Sequence, residues 1–128
     1  MQGRSYRIMV VDDDRGILEM FKDVFKEFLH GDVVSTATDG DDAVSKYAVL
    51  SPGPDVILMD ERMPRMSGID ATRKILAMNS SARIVFVSAD RTVEQKAIDA
   101  GARGFIQKPF GIDELKACLE KAMADVAA

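Results

Sequence analysis

The chain has 128 residues, a net charge of −4 and a hydrophobic fraction of 47%. This length fits one domain, and the composition supplies enough apolar side chains for one ordinary core. The negative charge and the lack of any Lys/Arg-rich run argue against direct nucleic-acid binding through a basic face.

The sequence shows no segment for membrane insertion or export. No apolar run approaches the roughly 20 residues of a membrane helix, and the first residues lack the pattern of a signal peptide. The single cysteine, Cys118, cannot form an internal disulfide. We therefore expect one domain over residues 1–128, with a core at about 6–124, in a reducing cytoplasmic setting.

Short apolar runs alternate with amphipathic stretches along the chain. Most runs are continuous rather than alternating, which is typical of strands covered on both faces. The predicted elements, in chain order, are strand 8–11, helix 17–28, strand 33–34, helix 43–50, strand 56–59, helix 69–76, strand 84–87, helix 92–100, strand 105–106 and helix 112–122. The fourth helix offers the core only Val93, Ala97 and Ala100, so we expect it to be lightly anchored.

Residues at the predicted helix ends agree with these boundaries. Ser67 resembles the start of a capping box for the third helix, and the acidic run that begins at Asp39 indicates a turn and a helix start. Gly31 and Gly101 occupy places where helices commonly end in a glycine. The first helix should present its apolar face from residue 17 through Phe28.

Strict alternation of five strands and five helices predicts an α/β fold with a parallel sheet covered on both faces. Right-handed crossovers leave few topologies, and we predict the strand order 2-1-3-4-5. In such sheets ligands bind beyond the carboxyl ends of the strands, here where strands 1 and 3 meet.

Acidic residues follow the two strands that meet at this point. Asp12 and Asp13 follow strand 1, and Asp60 follows strand 3. Like charges about 4 Å apart repel by roughly 1–4 kcal/mol per pair, which favours a bound cation. Carboxylate and carbonyl oxygens suit Mg²⁺ or Mn²⁺. Ser88 and Lys108, after strands 4 and 5, add a hydroxyl and a positive charge, so a carboxylate here could attack a phosphoryl group.

These motifs resemble the CheY-like receiver family of response regulators, which has the flavodoxin/CheY-like fold. Four separated motifs appear in the right order over about residues 6–124. They are Val10-Val11-Asp12-Asp13, then Met59-Asp60-Glu61-Arg62-Met63-Pro64 with Ser67-Gly68, then Val87-Ser88-Ala89, and finally Gly101-Ala102, Gly104-Phe105 and Lys108-Pro109-Phe110.

The resemblance implies a role for each matching residue of the metal and phosphate site. Asp60 would be phosphorylated, and with Asp13 it would bind the metal through carboxylates. Arg62 would add its backbone carbonyl, and Asp12 would act through a water. Lys108 would pair with the phosphoryl oxygens.

The resemblance also implies a switch, with a cis bond between Lys108 and Pro109 helping to aim the lysine. Ser88 would move to bond the phosphoryl group, and Phe105 would turn into the vacated space. The fourth helix, strand 5 and the last helix would then change conformation and control partner binding. The chain would regulate rather than act as an enzyme, catalysing only its own phosphotransfer and dephosphorylation.

The implied partners are a sensor histidine kinase or histidine phosphotransfer protein and an unknown downstream protein. Arg62 and Asp90, each two residues after a site residue, should flank the pocket mouth and could prolong phosphate lifetime by hindering water. Two independent solvated charges are the simpler interpretation of this pair, since exposed pairs are often weak.

Several other functions stay open at this point. A flavodoxin-like FMN carrier shares the topology, but three aspartates after strand 1 would repel its phosphate. An aspartate-nucleophile phosphatase would use Asp12-x-Asp14, but Arg15-Gly16-Ile17 does not continue that pattern. A phosphate-independent pseudo-receiver and a receiver fragment of a larger regulator are the remaining alternatives.

Overall fold

A computed structural model describes residues 5–124. Within that range the chain forms five parallel strands in the order β2-β1-β3-β4-β5, as predicted. The strands are β1 (Tyr6–Val11), β2 (Gly31–Ala37), β3 (Val56–Met59), β4 (Ile84–Ser88) and β5 (Gly104–Gln107). The helices are α1 (Arg15–Val24), α2 (Gly40–Val49), α3 (Gly68–Met78), α4 (Glu94–Asp99) and α5 (Ile112–Met123). No helix among residues 5–124 is long and apolar enough to cross a membrane.

Each side of the sheet builds its own hydrophobic core. Successive side chains of a strand point to opposite faces, so Ile8 and Val10 pack with α1 and α5, whereas Met9 and Val11 pack with α2, α3 and α4. Burying one such side chain completely contributes about 1.5–3 kcal/mol. The continuous apolar runs therefore form strands that are buried on both faces.

Three helices begin at the carboxyl edge of the sheet with a capping side chain. Asp14 accepts from the Gly16 N–H at 2.8 Å and starts α1, a role that the sequence pattern did not assign. Asp39 starts α2, and Ser67 accepts from the Asp70 N–H at 3.1 Å to start α3. The helix starts predicted at Asp39 and Ser67 are confirmed.

The end of the first helix differs from the prediction. A π-helical turn, Phe25–Leu29, continues α1 and adds a residue to the turn, which rotates the following side chains around the axis. As a result Leu29 is buried and Phe28 is 61% exposed, so the prediction for Phe28 was wrong. His30, rather than Gly31, takes the left-handed conformation (φ 52°), while Gly101 adopts it as predicted (φ 110°).

The fourth helix is short and shallow, as the sequence indicated. α4 has six residues and follows a 3₁₀ turn at Arg91–Val93. Ala97 is its one buried residue, with Val93 buried in the preceding turn. This part of the molecule therefore depends on few core contacts.

Candidate functional site

The parallel ladder brings the ends of β1 and β3 together. Val11 and Met59 are register partners in adjacent strands, so the residues that follow them, Asp12 and Asp60, emerge side by side. The Asp60 N–H donates to the carbonyl of Val11 at 3.0 Å, and the Asp12 N–H donates to that of Ala37 at 3.0 Å. Backbone hydrogen bonds thus fix where both carboxylates leave the sheet.

Three carboxylates form a compact cluster at this point. Asp12, Asp13 and Asp60 each contribute an oxygen atom, and these atoms all lie within 4.8 Å of one another. Asp12 is buried, Asp13 is exposed and Asp60 lies between these extremes. Burial, and next the charge of Asp12, raise the pKa of Asp60 to about 6. This set of hard oxygen donors fits a divalent cation such as Mg²⁺.

Lys108 places a positive charge beside the cluster. Its Nζ donates to Oδ2 of Asp12 at 2.9 Å, and its side chain is only 23% exposed. The Lys108 N–H donates to the Ser88 carbonyl at 2.9 Å, which ties it to the end of β4. The Lys108–Pro109 peptide bond is cis. The ammonium therefore offsets part of the negative charge and lies where it can reach an incoming anion.

The other side of the site carries a hydroxyl and an ion pair. Ser88 is buried, and its Oγ accepts from the Asp90 N–H at 3.1 Å. Nη2 of Arg62 lies 2.8 Å from Oδ2 of Asp90. The pKa of Asp90 is lowered, first by the Thr92 hydroxyl and then by the Thr92 N–H and Arg62. One open cleft is lined by Asp13, Asp60, Arg62, Ser88, Ala89, Asp90 and Lys108.

Among the predicted site residues, Phe105 and Pro109 do not line this cleft or belong to its acidic cluster. Phe105 on β5 is the register partner of Phe86 on β4. Its partly buried side chain packs on the core between the sheet and helices α2, α3 and α4. The guanidinium carbon of Arg91 lies 5.8 Å from the centre of its ring. Nε of Arg91 donates to Oε1 of Gln107 at 2.8 Å. Sequence reasoning did not single out Arg91.

A second ion pair beside the site was also missed. Arg65 donates to Asp39 through Nε at 3.1 Å and through Nη2. The sequence identified Asp39 only as a helix start, because linear spacing gives no reason to pair residues that lie 26 positions apart. The contact joins the loop after β2 to the loop that carries Asp60.

Comparison with known proteins now adds to this geometry. The family model for the response regulator receiver domain matches residues 8–120. The chain belongs to the receiver domain family. Receiver domains of response regulators act in two-component signalling as regulatory phosphoacceptor domains. This membership argues against the flavin carrier and the phosphatase.

Individual relatives are similar over most of the chain. The chemotaxis protein CheY of Thermotoga maritima is 38% identical over 117 residues, which are 90% of this chain and 95% of that protein. The CheB response regulator domain of Thermotoga maritima superposes with a TM-score of 0.84 at 33% identity, covering 94% of this chain and 98% of that domain. The CheX–CheY–BeF3–Mg complex from Borrelia burgdorferi gives a TM-score of 0.82 at 27% identity, with 94% and 89% covered.

Proposed function

We propose that this receiver domain accepts a phosphoryl group from a phosphohistidine donor on the carboxylate of Asp60, in a reaction that requires Mg²⁺ or Mn²⁺. The observation that carries the proposal is the cluster of Asp12, Asp13 and Asp60 with Lys108 bonded to it. A metal-free site with three carboxylates repels a phosphoryl group, so positive charge is needed before the group can approach.

The proposed step exchanges one bond to phosphorus for another. An oxygen of ionised Asp60 attacks the phosphorus and forms an O–P bond, while the N–P bond of the donor breaks and its electron pair stays on the imidazole nitrogen. With its pKa raised to about 6, Asp60 is mostly ionised at neutral pH and can act as the nucleophile. Positioning and charge stabilisation then account for most of the catalysis.

The remaining residues take supporting roles. Asp12, Asp13, Asp60 and the backbone carbonyl of Arg62 would hold the cation, which supplies charge neutralisation for the phosphoryl oxygens. Lys108 would transfer its hydrogen bond from Asp12 to a phosphoryl oxygen.

The test of this proposal is phosphorylation by a small-molecule donor. Wild type incubated with acetyl phosphate and Mg²⁺ should gain one phosphoryl group by intact mass, and the label should be lost with hydroxylamine. Asp60→Asn should gain none, whereas Asp70→Asn, which changes a carboxylate on the surface of α3, should behave as wild type. A wild type that stays unmodified would favour the pseudo-receiver instead.

We further propose that Ser88 and Phe105 convert this modification into a change of shape. The Ser88 oxygen accepts from the Asp90 N–H, so its own proton can be donated to a phosphoryl oxygen if the hydroxyl moves. Phe105 would then turn toward the space that Ser88 leaves, and α4, β5 and α5 would respond. Hydrogen exchange in α4, β5 and α5 should differ between the apo and the beryllofluoride-activated protein; identical exchange would contradict the switch.

The Arg62–Asp90 pair is proposed to prolong the phosphorylated state. Both residues line the cleft beside Asp60, and their 2.8 Å contact would hinder the approach of an attacking water. Removing the pair with Arg62→Gln and Asp90→Asn should speed the loss of the phosphoryl group severalfold in a time course of intact mass. The exposed Asp70–Arg73 pair of α3, at 3.7 Å, is the matched control. If the Arg62→Gln/Asp90→Asn variant and the Asp70→Asn/Arg73→Gln control lose the phosphoryl group at equal rates, Arg62 and Asp90 are two independent charges.

The proposed biological context follows from the family. We propose that residues 1–128 act as one receiver domain with a core at about 6–124, in the cytoplasm. Its donor would be a sensor histidine kinase or histidine phosphotransfer protein, and its output a protein contact rather than direct nucleic-acid binding.

A further inference from the structure

The loop after β3, which carries Asp60, is bonded to the buried carboxylate of Asp39 at the start of α2. Asp39 is only 3% exposed, and both Nε and Nη2 of Arg65 donate to its Oδ2. Its other oxygen, Oδ1, accepts from the Asp42 N–H at 2.8 Å and caps α2. The pKa of Asp39 is lowered by these partners, with the Asp42 hydrogen bond the largest cause. One carboxylate thus joins the start of α2 to the loop after β3.

Arg65 adopts the left-handed backbone conformation, which residues other than glycine rarely take. Its φ is 66°, in the left-handed region, where glycine is the usual occupant. Such conformations persist when surrounding contacts fix them, and they concentrate at functional sites. The Arg65 side chain is 69% exposed, so core packing does not provide the fixing contacts. The hydrogen bonds to Asp39 do.

Backbone contacts support the same junction next to Arg65. The Gly40 N–H donates to the carbonyl of Met66 at 3.0 Å. A Cβ atom at Gly40 would overlap that carbonyl oxygen, and one at Gly68 would overlap the carbonyl oxygen of Asp60. The Gly40 contact shows that the two loops pack closely next to Arg65, whereas the Gly68 contact lies within the loop that carries Asp60.

The segment from Asp60 to Gly68 is anchored at both ends, and between them Met63 and Met66 pack, partly buried, on the core beside α2, α3 and α4. Near its end the Gly68 N–H donates to the Glu61 carbonyl at 3.0 Å. Arg62 lies two residues after Asp60; its side chain is 80% exposed and contacts Asp90 at 2.8 Å. Arg65 follows Arg62 by three residues, so we expect its hydrogen bonds to Asp39 to contribute to the backbone path through Arg62.

We propose that Asp39 and Arg65 are positioning residues that set the metal affinity of the site by fixing the backbone around Arg62. The inference rests on the proposed function, since it assumes that the Arg62 carbonyl is a ligand of the cation. Residues that orient metal ligands commonly change metal affinity by about 10–100-fold when they are mutated. Because Arg65 acts through the two residues that separate it from Arg62, we expect about a three- to tenfold change here.

Three variants separate the charge contact from the backbone strain. Asp39→Asn keeps a side-chain oxygen that can accept from the Asp42 N–H and cap α2. It replaces the oxygen that accepts from Arg65 with an NH₂ group, so the ion pair is lost. Arg65→Ala removes the ion pair and leaves a Cβ in the left-handed conformation, whereas Arg65→Gly removes the ion pair and relieves the strain. Arg73→Gln is the matched control, because it removes one exposed arginine of α3 that contacts only Asp70 among the described ion pairs.

The experiment measures Mg²⁺ binding by titration calorimetry, the Mg²⁺ concentration for half-maximal phosphorylation by acetyl phosphate, and hydrogen exchange of the metal-free protein. Asp39→Asn and Arg65→Ala should each weaken Mg²⁺ binding about three- to tenfold, while the maximal rate at saturating Mg²⁺ stays near that of wild type. In the metal-free proteins, the amide of Gly40 should exchange faster in these two variants than in wild type. Arg65→Gly should lie between Arg65→Ala and wild type.

The outcomes distinguish this inference from the proposed function. If wild type neither binds Mg²⁺ nor gains a phosphoryl group, the proposed function fails. If wild type does both, and the variants melt at lower temperature but bind Mg²⁺ as wild type does, the pair is merely structural and the inference fails. An Arg73→Gln variant that weakens binding as much as Arg65→Ala would also overturn it, because general charge would then explain the effect.

Discussion

Loops after β1, β2 and β3 are tied to one another at the carboxyl edge of the sheet, whereas the segment after β4 has little core beneath it. On the first side, Asp39 contacts Arg65, and α3 buries Ile69, Thr72 and Ile75 among others. On the second side, α4 buries only Ala97. Chemistry needs fixed ligands, and a conformational output needs elements of low local stability.

The surface contacts of the second side show the same contrast. Arg91 holds the region together through exposed groups, with Nη1 donating to Glu94 at 2.9 Å and Nε to Gln107 at 2.8 Å. Exposed pairs of this kind contribute little to stability. The difference teaches that one edge of a sheet can combine a site held by many buried contacts with a segment that has few of them.

Gly68→Ala should break the rigid side with the largest effect. Its Cβ would overlap a backbone carbonyl oxygen, that of Asp60, which cannot move without shifting the site. We expect a loss of about 3 kcal/mol in the free energy of unfolding, measured with urea. Gly104→Ala on β5 should cost less than about 1 kcal/mol, because its nearest contact, at 3.0 Å, is the side chain of Cys118. Equal losses would contradict the comparison.

Lys108→Ala should have the next largest effect in metal-free protein. It leaves the buried Asp12 beside Asp13 and Asp60 without its cation, at a cost of about 2 kcal/mol in the free energy of unfolding. Lys22→Ala, which breaks an exposed pair with Glu19, should change stability by no more than about 0.5 kcal/mol. Added Mg²⁺ should recover part of the loss; no recovery would argue against cation binding at the cluster.

Asp60→Asn should stabilise the metal-free protein at neutral pH. The pKa of Asp60 is about 6 in the native state and 3.8 for the unperturbed group. Between these values the native state binds more protons than the unfolded state, so wild-type stability falls as pH rises through this window. Above pH 6 the variant should exceed wild type by about 1–2 kcal/mol after allowance for partial solvent exposure. Urea titrations between pH 4 and pH 7 would test this, and a difference independent of pH would contradict it.

The smallest expected effect is a difference in hydrogen exchange between α4 and α3. Central amides of α4 should exchange about tenfold faster than those of α3 in metal-free protein, because α4 buries one residue and α3 buries five. NMR detection would resolve the two helices. Equal protection would show that the segment after β4 is as firmly held as the rest.

Much of the molecule followed from local patterns. Continuous apolar runs identified β1, β3 and β4, because a strand covered on both faces needs apolar side chains on both. The edge strands β2 and β5 were located by runs of only two residues, since they are only partly buried. Strand ends then located Asp12, Asp60, Ser88 and Lys108 at one edge, since parallel strands share a direction. The end of α1 could not be predicted, because the π turn that exposes Phe28 breaks the regular period on which the prediction depended.

Sequence by itself thus determined the fold class and the kinds of side chain that meet at the carboxyl edge, and it reduced the strand order to a few topologies. Tertiary structure alone decided which of those side chains contact one another. Lys108 meets Asp12 across 96 positions and Arg65 meets Asp39 across 26. Such contacts depend on side-chain rotamers, loop paths and burial, which no periodicity in the chain encodes, whereas strands and helices repeat at fixed spacings that a sequence displays directly.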